Sequence, residues 1–476
     1  MSHGDGGGAG SAVNPVVDPA VDLVADVVVL GSGAAGLMAA VEAAEAGRDV
    51  LVLEKQADLG GSTALSGGYV ALCETDLQPG TRDELLADLR ASHRHDAQDD
   101  LSVAYVEDAP DTYRRLLDLG VRFAGTMQFA NMSKPWGHEL PLGDQGGGAQ
   151  IVRHLSAAAL DRGARILTGV RATRLLRDGA GPGVTGVAVE IDGRPAAVGA
   201  AGGVVLATGG FTRNPDLVKA YGRPGTEDIL PITGAGSHGD GLVMASALGA
   251  ATSYIGRGVA PTTPVEPTTG KGCVVNYHGG ILLNKEGRRF CDESALYVDL
   301  CWAGLAQTDH FMVQVFDDAA RAAYATTMVG QVMSGGHAFT ADTVRDLLAA
   351  VADATGMDAA AAVATVHEYN RSVDAGADPV FGRRHLIGTD GALRRIEQPP
   401  FQAVVVVPGT THFNGGLEVG ADMGVVDVFG DPIPGLYAAG EVTGGFHGSG
   451  YMPATHVGSA LIFGRRAGRS AAAPPG

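Results

Sequence analysis

An α/β fold is predicted, built on a central parallel sheet with an α+β cap domain inserted into the chain. Three observations predict it. Short runs rich in β-branched residues, with no polar alternation, occur at Ala25–Leu30 (ADVVVL) and Asp49–Lys55 (DVLVLEK), the pattern of parallel strands buried on both faces. Between them GSGAAG opens an alanine-rich helical run, LMAAVEAAEAG, that closes at Gly47. After HGDGLVMASALGA the character changes to proline-rich loops, a hairpin and two helices, until buried strands return at Phe401.

The first strand, glycine turn, helix and second strand make one βαβ unit of the Rossmann-like kind. Helical, charged segments are expected over Thr81–Gly120 and an apolar-faced helix over Gln150–Gly163. Short strands alternate with turns from Arg165 to Ile191, and GGVVLATGGF ends that region with another buried strand. The inserted region contributes a hairpin turning at Asn284–Gly287 and helices around Ala341–Ala354 and Ala359–Asn370. THVGSALIFGRRAGRSA reads as a last helix, starting near Thr455 or Ser459. Its arginines Arg465, Arg466 and Arg469 are expected as dipole partners on a solvated surface.

Length and composition fit two or three domains of a globular enzyme, with 45% hydrophobic and 18% charged residues. The 72 glycines in 476 residues are about double the usual share of roughly 7% and follow no period, so they mark tight turns and close backbone approaches. A net charge of −19 argues against nucleic acid or an anionic membrane surface as partner. Residues 1–22 carry neither the basic nor the apolar region of a signal peptide and read as a flexible tail. The apolar window Val27–Ala44 is broken by three glycines in a strand–turn–helix pattern, so no membrane span is expected. The four cysteines form no CxxC or dense framework and read as reduced thiols, and the expected location is cytoplasmic. No metal-ligand spacing and no GxSxG elbow between a strand and a helix is found. His93 and His95 are expected on a charged helical surface.

Gly31-Ser32-Gly33-Ala34-Ala35-Gly36 is a GxGxxG set between strand and helix, the context in which the motif binds a dinucleotide. The first glycine permits the turn, the second admits a pyrophosphate and the third allows helix–strand packing, while the helix N-terminus offers N–H donors to phosphate. Glu54, 18 residues past Gly36 at the end of the second strand, is placed to accept ribose hydroxyl protons.

These segments, with the loop GGSTALSGG at 60–68, ATGGF at 207–211 and GLYAAGEVTGG at 435–445, together resemble the fumarate reductase/succinate dehydrogenase flavoprotein superfamily from about residue 24 to the end. The resemblance implies FAD as the dinucleotide. It places Gly61, Ser62, Thr63, Ser66, Gly67 and Gly68 along the pyrophosphate and isoalloxazine, with Lys55, Ala207, Thr208, Gly209 and Asp240 also at the cofactor. Val170 would meet adenine through its backbone, Glu441 the ribityl chain, and Ser459, Ala460 and Leu461 the pyrimidine edge of the flavin. His412 matches a histidine near the flavin, with a structural role as the alternative. Residues 23–260 and 396–476 then form a discontinuous FAD-binding domain and 261–395 the cap over the substrate.

Fumarate reductases of this superfamily follow the His–Gly pair by two residues and an arginine, then LGGN. Here His447-Gly448 continues SGYMPATHVGSAL with no arginine before Arg465, and no arginine follows Glu293 in CDESALYVDLCWAGL. HGxGYxxxT ahead of a helix ending FGRRAG instead resembles the flavin-dependent 3-ketosteroid Δ4-dehydrogenases. That resemblance makes Tyr451 the acceptor of a ketone's α-proton while FAD takes the β-hydride, with Tyr297 from the cap as a second tyrosine and His447 lining the same site. The pattern carries a serine two residues past the tyrosine; Pro453 stands there, and Ser449, Thr455 or His456 are its possible substitutes. A phenol of pKa about 10 is a poor base in water, and needs a helix N-terminus or a relay to hold or pass on its charge. The expected function is thus an FAD-dependent dehydrogenase introducing a C=C bond beside the carbonyl of a hydrophobic cyclic ketone, with a 3-ketosteroid as the expected substrate and a separate acceptor such as a quinone. An FAD-dependent ene reductase and a non-catalytic flavin- or ligand-binding protein are the alternatives.

Overall fold

The computed structural model describes residues 23–129, 132–141, 146–179, 181–255, 262–324, 328–384, 386 and 392–474. The segment expected as an N-terminal tail lies outside them. Strand Leu23–Leu30 sits mid-sheet, parallel to Val50–Glu54 on one side (Val29 opposite Val52) and to Arg194–Leu206 on the other (Leu30 opposite Leu206). Parallel pairing continues outward to Arg165–Thr168 and to Pro432–Ala438, so the chain's C-terminal part returns to the sheet its N-terminal part began. Gly424–Val426 adds an antiparallel edge, and Val170–Arg177 with Val184–Ile191 form an antiparallel flap carried by Arg194–Leu206, giving eight strands. Val27, Val28, Val29, Leu51 and Val52 are fully buried, which is why these strands read as continuous apolar runs.

Helix Ala34–Glu45 follows the glycine turn, and the C-terminal helix Thr455–Ala472 crosses it at very short range. A Cβ at Gly464 would stand 2.5 Å from the Ala35 carbonyl oxygen, and one at Gly468 2.4 Å from that of Ala39, so side chains there would push the two helices apart. The crossing is pinned by a buried acid, Glu42, which meets Arg469 at 2.7 Å, Arg115 at 2.8 Å and Arg465 at 3.6 Å. Of the three arginines expected on a solvated surface, Arg469 in the last turn is exposed, whereas Arg465 and Arg466 are not. Arg465 is buried, donating to Thr112 Oγ1 at 2.9 Å, and Arg466 pairs with Asp108 at 2.6 Å. Glu42, buried in helix Ala34–Glu45, and Asp108, from helix Asp99–Asp118, supply the partners that the local sequence does not reveal.

A second sheet of six strands is organised by Phe401–Thr410, which pairs antiparallel with Thr262–Val265, Met312–Phe316 and Phe339–Ala341 and parallel with Leu230–Pro231; Ile281–Leu283 adds beyond Met312–Phe316. Its longest strand therefore comes from the stretch after the expected cap. Helices Val344–Thr355 and Ala359–Asp374 cover one face through Leu347, Leu348, Val351, Ala362 and Val366. Among the described residues no helix is long and apolar enough to cross a membrane.

Candidate active site

At the end of strand Leu23–Leu30 the chain turns through Gly31, whose φ of +104° favours glycine and whose amide donates to the Leu53 carbonyl at 2.8 Å. A Cβ at Gly36 would lie 2.0 Å from the Gly31 carbonyl oxygen, so the third glycine is required by the helix lying against the turn. Glu54 ties the turn to the second strand. Its Oε2 accepts from the Ser32 amide at 3.0 Å and the Ser32 hydroxyl at 2.7 Å, and its Oε1 accepts from the Gln56 amide at 2.8 Å. A carboxylate oxygen accepts more than one bond, so ribose hydroxyls can still reach it. Thr63 Oγ1 accepts from the Ala34 amide at 3.0 Å and thereby caps the helix that Gly33 cannot cap. Lys55 pairs with Asp240 at 2.5 Å across this end of the site.

A cavity of about 810 Å³ runs from this turn towards the second sheet, within the range of ligand pockets. Of the residues expected at the cofactor, all line it except Gly36, Ser459 and Leu461. Gly36 is turned into the helix–strand contact, Leu461 is fully buried in the core, and Ser459 Oγ donates back to the His456 carbonyl at 3.1 Å. Ala460 does reach the cavity wall. Glu441, also on the wall, is half-buried, and its buried Oε1 has no hydrogen-bond partner. Burial pushes its carboxyl up to about 7, against the pull of the Gly210 and Phe413 amides. A carboxyl oxygen with no partner beside a cavity is a place prepared for a hydroxyl-bearing ligand.

At the far end of the cavity stands Tyr451, held in a glycine loop that Asn414 fastens by donating to the Gly448 and Gly450 carbonyls at 3.3 and 2.8 Å. Three imidazoles surround its ring, with centroids at 5.0 Å (His412), 5.1 Å (His456) and 5.7 Å (His447). His456 also lies 3.3 Å from His412 and 4.0 Å from His447, and His93 follows at 5.2 Å from His447. Burial lowers the pKa of all four, that of His93 to about 3, so the rings are neutral. Burial pushes the Tyr451 phenol the other way, upward, with the Ala454 amide at the start of the C-terminal helix opposing it.

His412 and His456 line the cavity, whereas His447 and His93 stand behind the wall. His93, expected on a surface, is fully buried; only its neighbours Arg94 and His95 are exposed. The signal was available in the spacing: Leu85, Leu89 and Ser92 form the buried side of helix Arg82–Ser92, and His93 continues it four residues past Leu89. Tyr297 opens helix Tyr297–Leu305, and its side chain lies outside the described residues. Among the described residues no group of three or more histidine, cysteine or acidic side chains is arranged to hold a metal ion.

The glycine turn, the acid at the strand end, the unpartnered Oε1 of Glu441 and the cavity volume all suit a dinucleotide with a flavin. The family model for the FAD binding domain matches residues 26–456. The chain is 31% identical over 453 residues to an NADH:fumarate oxidoreductase of Klebsiella pneumoniae (strain 342); the match takes in 94% of this chain but only 47% of that relative, so the chain spans about half its length. It is 30% identical over 549 residues to a 4-oxocyclohexanecarboxylate 2-dehydrogenase of Sinomonas cyclohexanicum, over 94% of this chain and 92% of the relative. Among solved structures, the open conformation of a flavocytochrome c3 fumarate reductase superposes with a TM-score of 0.80 at 28% identity, covering 94% of this chain and 78% of that one. The 3-ketosteroid-Δ4-(5α)-dehydrogenase from Rhodococcus jostii RHA1, in complex with 4-androstene-3,17-dione, superposes with a TM-score of 0.72 at 28% identity, covering 95% and 98%. This chain belongs to the FAD binding domain family, and its cofactor is FAD.

Proposed function

We propose that this chain is an FAD-dependent dehydrogenase that introduces a C=C bond beside the carbonyl of a saturated cyclic ketone. The observation that carries the reading is Tyr451, a phenol on the cavity wall amid neutral imidazoles, where a dicarboxylate-reducing site needs arginine. Among the described residues lining the cavity the arginine is Arg213, and its guanidinium already donates to the carbonyls of Pro231, Thr233 and Gly234. FAD, when bound, supplies the acceptor for the hydride that leaves the β-carbon. Tyr451 takes the α-proton, which the carbonyl acidifies, and Tyr297 from the cap is the second tyrosine at the substrate. Gly31 to Gly36, Glu54 and the 60–68 loop hold the dinucleotide, Val170 its adenine and Glu441 its ribityl hydroxyls. Electrons leave to a separate acceptor, a quinone or a soluble carrier.

Two substrate sizes are supported. The steroid-bound structural neighbour favours a 3-ketosteroid, and the Sinomonas relative favours a single ring bearing a carboxylate. Lys271 on the cavity wall, donating to Gln331 at 2.9 Å, offers a cation to such a carboxylate. The Klebsiella relative favours a second reading, reduction of an activated C=C bond. Anaerobic flavin bleaching separates these. Saturated 3-ketosteroids or 4-oxocyclohexanecarboxylate should bleach the bound FAD. Failure of every cyclic ketone, with rapid re-oxidation of the dithionite-reduced protein by fumarate or an enone, would overturn the dehydrogenase in favour of the reductase.

A further inference from the structure

The phenol in this site has an acceptor problem. Tyr451, half-buried on the cavity wall, is held protonated, and the residue two positions on is Pro453, which has no hydroxyl. Thr455, the nearest hydroxyl in the following turn, donates its proton to the Met452 carbonyl at 2.5 Å, so it is already committed. The imidazoles are not. His456 Nε2, His412 Nε2 and both ring nitrogens of His447 and of His93 are buried with no hydrogen-bond partner. Six imidazole nitrogens left unused in one cluster would be costly in a core that served only packing.

We propose that His456, His447 and His93 form a proton relay that carries the substrate's α-proton from Tyr451 to solvent. It rests on the dehydrogenase reading. Ring centroids step by 5.1 Å from Tyr451 to His456, 4.0 Å on to His447 and 5.2 Å on to His93. His93 is followed directly by the exposed pair Arg94 and His95 and by Asp96, whose charge favours a proton on His93. Asp96 also accepts from the Ser449 amide at 2.7 Å, tying this exit to the Tyr451 loop. His412 braces His456 from the other side and is itself fixed by Thr411 Oγ1 at 2.8 Å from Nδ1. In the step, the α C–H bond breaks and its proton joins the Tyr451 oxygen. The phenolic proton passes to a nitrogen of His456. The freed electron pair forms the C=C bond as the β-hydrogen departs with its own pair to FAD. The substrate is oxidised, FAD is reduced, and one proton remains on His456 to leave by His447 and His93. A neutral imidazole is suited to this because it accepts at one nitrogen and donates at the other.

Two measurements test the relay. In weakly buffered anaerobic solution with an indicator dye, the wild-type holoprotein should release its proton as fast as the flavin bleaches with 4-oxocyclohexanecarboxylate or a saturated 3-ketosteroid. His93→Phe should let bleaching outrun release by about tenfold or more, the low end of acid–base effects. Bleaching and release slowed equally, or neither slowed, would overturn the relay, since a purely structural role cannot uncouple them. The second measurement needs no turnover: ¹⁵N NMR of histidine-labelled holoprotein with and without His447→Phe. A connected relay predicts that the ring-nitrogen resonances of both His456 and His93 change tautomer or shift markedly in the variant. Unchanged resonances on both sides of the gap would overturn it. If no cyclic ketone bleaches the wild type while the NMR coupling is present, the dehydrogenase reading fails and the coupled row of histidines stands.

Discussion

The two ends of the cavity are built by different means. At the dinucleotide end the backbone makes the site: Gly31 turns at positive φ, Gly36 admits a carbonyl where a Cβ would be, and Glu54 is spent partly on the turn's own amides. At the Tyr451 end side chains from separate segments make it: His93 from one helix end, His412 just past the second sheet's longest strand, and His447, Tyr451 and His456 from the loop into the last helix. The first kind of site survives most changes that respect backbone geometry. The second stores its chemistry in unsatisfied, uncharged polar atoms, and its cost to stability should show.

The largest effect that sharpens this contrast is on acid stability. His93 has a folded pKa of about 3 against an ordinary 6.5, so its contribution is present above pH 6.5 and is lost as pH falls towards 3. At roughly 1.4 kcal/mol per pH unit that is about 5 kcal/mol for His93 alone, comparable with a whole domain's stability. His412, His447 and His456 are shifted in the same direction. Urea unfolding of the FAD-free protein should therefore show a steep loss between pH 6.5 and 4, flattened in His93→Phe; an unchanged midpoint across that range would break the account of neutral buried rings. Glu441 acts with the opposite sign. Its folded pKa of about 7 lies above the ordinary 4.5, so the unfolded chain ionises first and stability falls from pH 4.5 to 7, then levels. Glu441→Gln should raise the stability of the FAD-free protein by about 3 kcal/mol above pH 7 and change nothing below pH 4.5. The smallest effects belong to the glycines. Gly36→Ala should cost about 1–3 kcal/mol with or without FAD, because the new methyl meets the Gly31 carbonyl. Gly33→Ala should leave the FAD-free midpoint within about 0.5 kcal/mol, its nearest neighbour being Thr63 Oγ1 at 3.6 Å, yet weaken FAD binding measurably in titration.

This difference also decides what was legible in the sequence. The βαβ unit, the glycine turn and Glu54 announce themselves because backbone conformation and burial leave short, local patterns. The loop carrying Tyr451 was singled out by its resemblance to ketosteroid dehydrogenases, and the structure places it on the cavity wall. His93 was not legible, because it lies more than 300 residues before His412, His447 and His456 and is locally unremarkable: it sits in HRH beside two exposed charges, and only the periodicity of Leu85 and Leu89 betrays its side. Arg465 misled for the same reason, since its partner Glu42 lies in the helix beneath it. Ser459 and Leu461 were expected on the flavin, but helical periodicity turns only Ala460 of that trio to the cavity.

The central claim is that Tyr451 is the group that takes the substrate's α-proton. Stopped-flow anaerobic bleaching of the Tyr451→Phe holoprotein by a ketone that bleaches the wild type tests it most directly. The expected result is full FAD occupancy with bleaching slowed at least about 10²-fold. Bleaching within about threefold of wild type in that variant would contradict it.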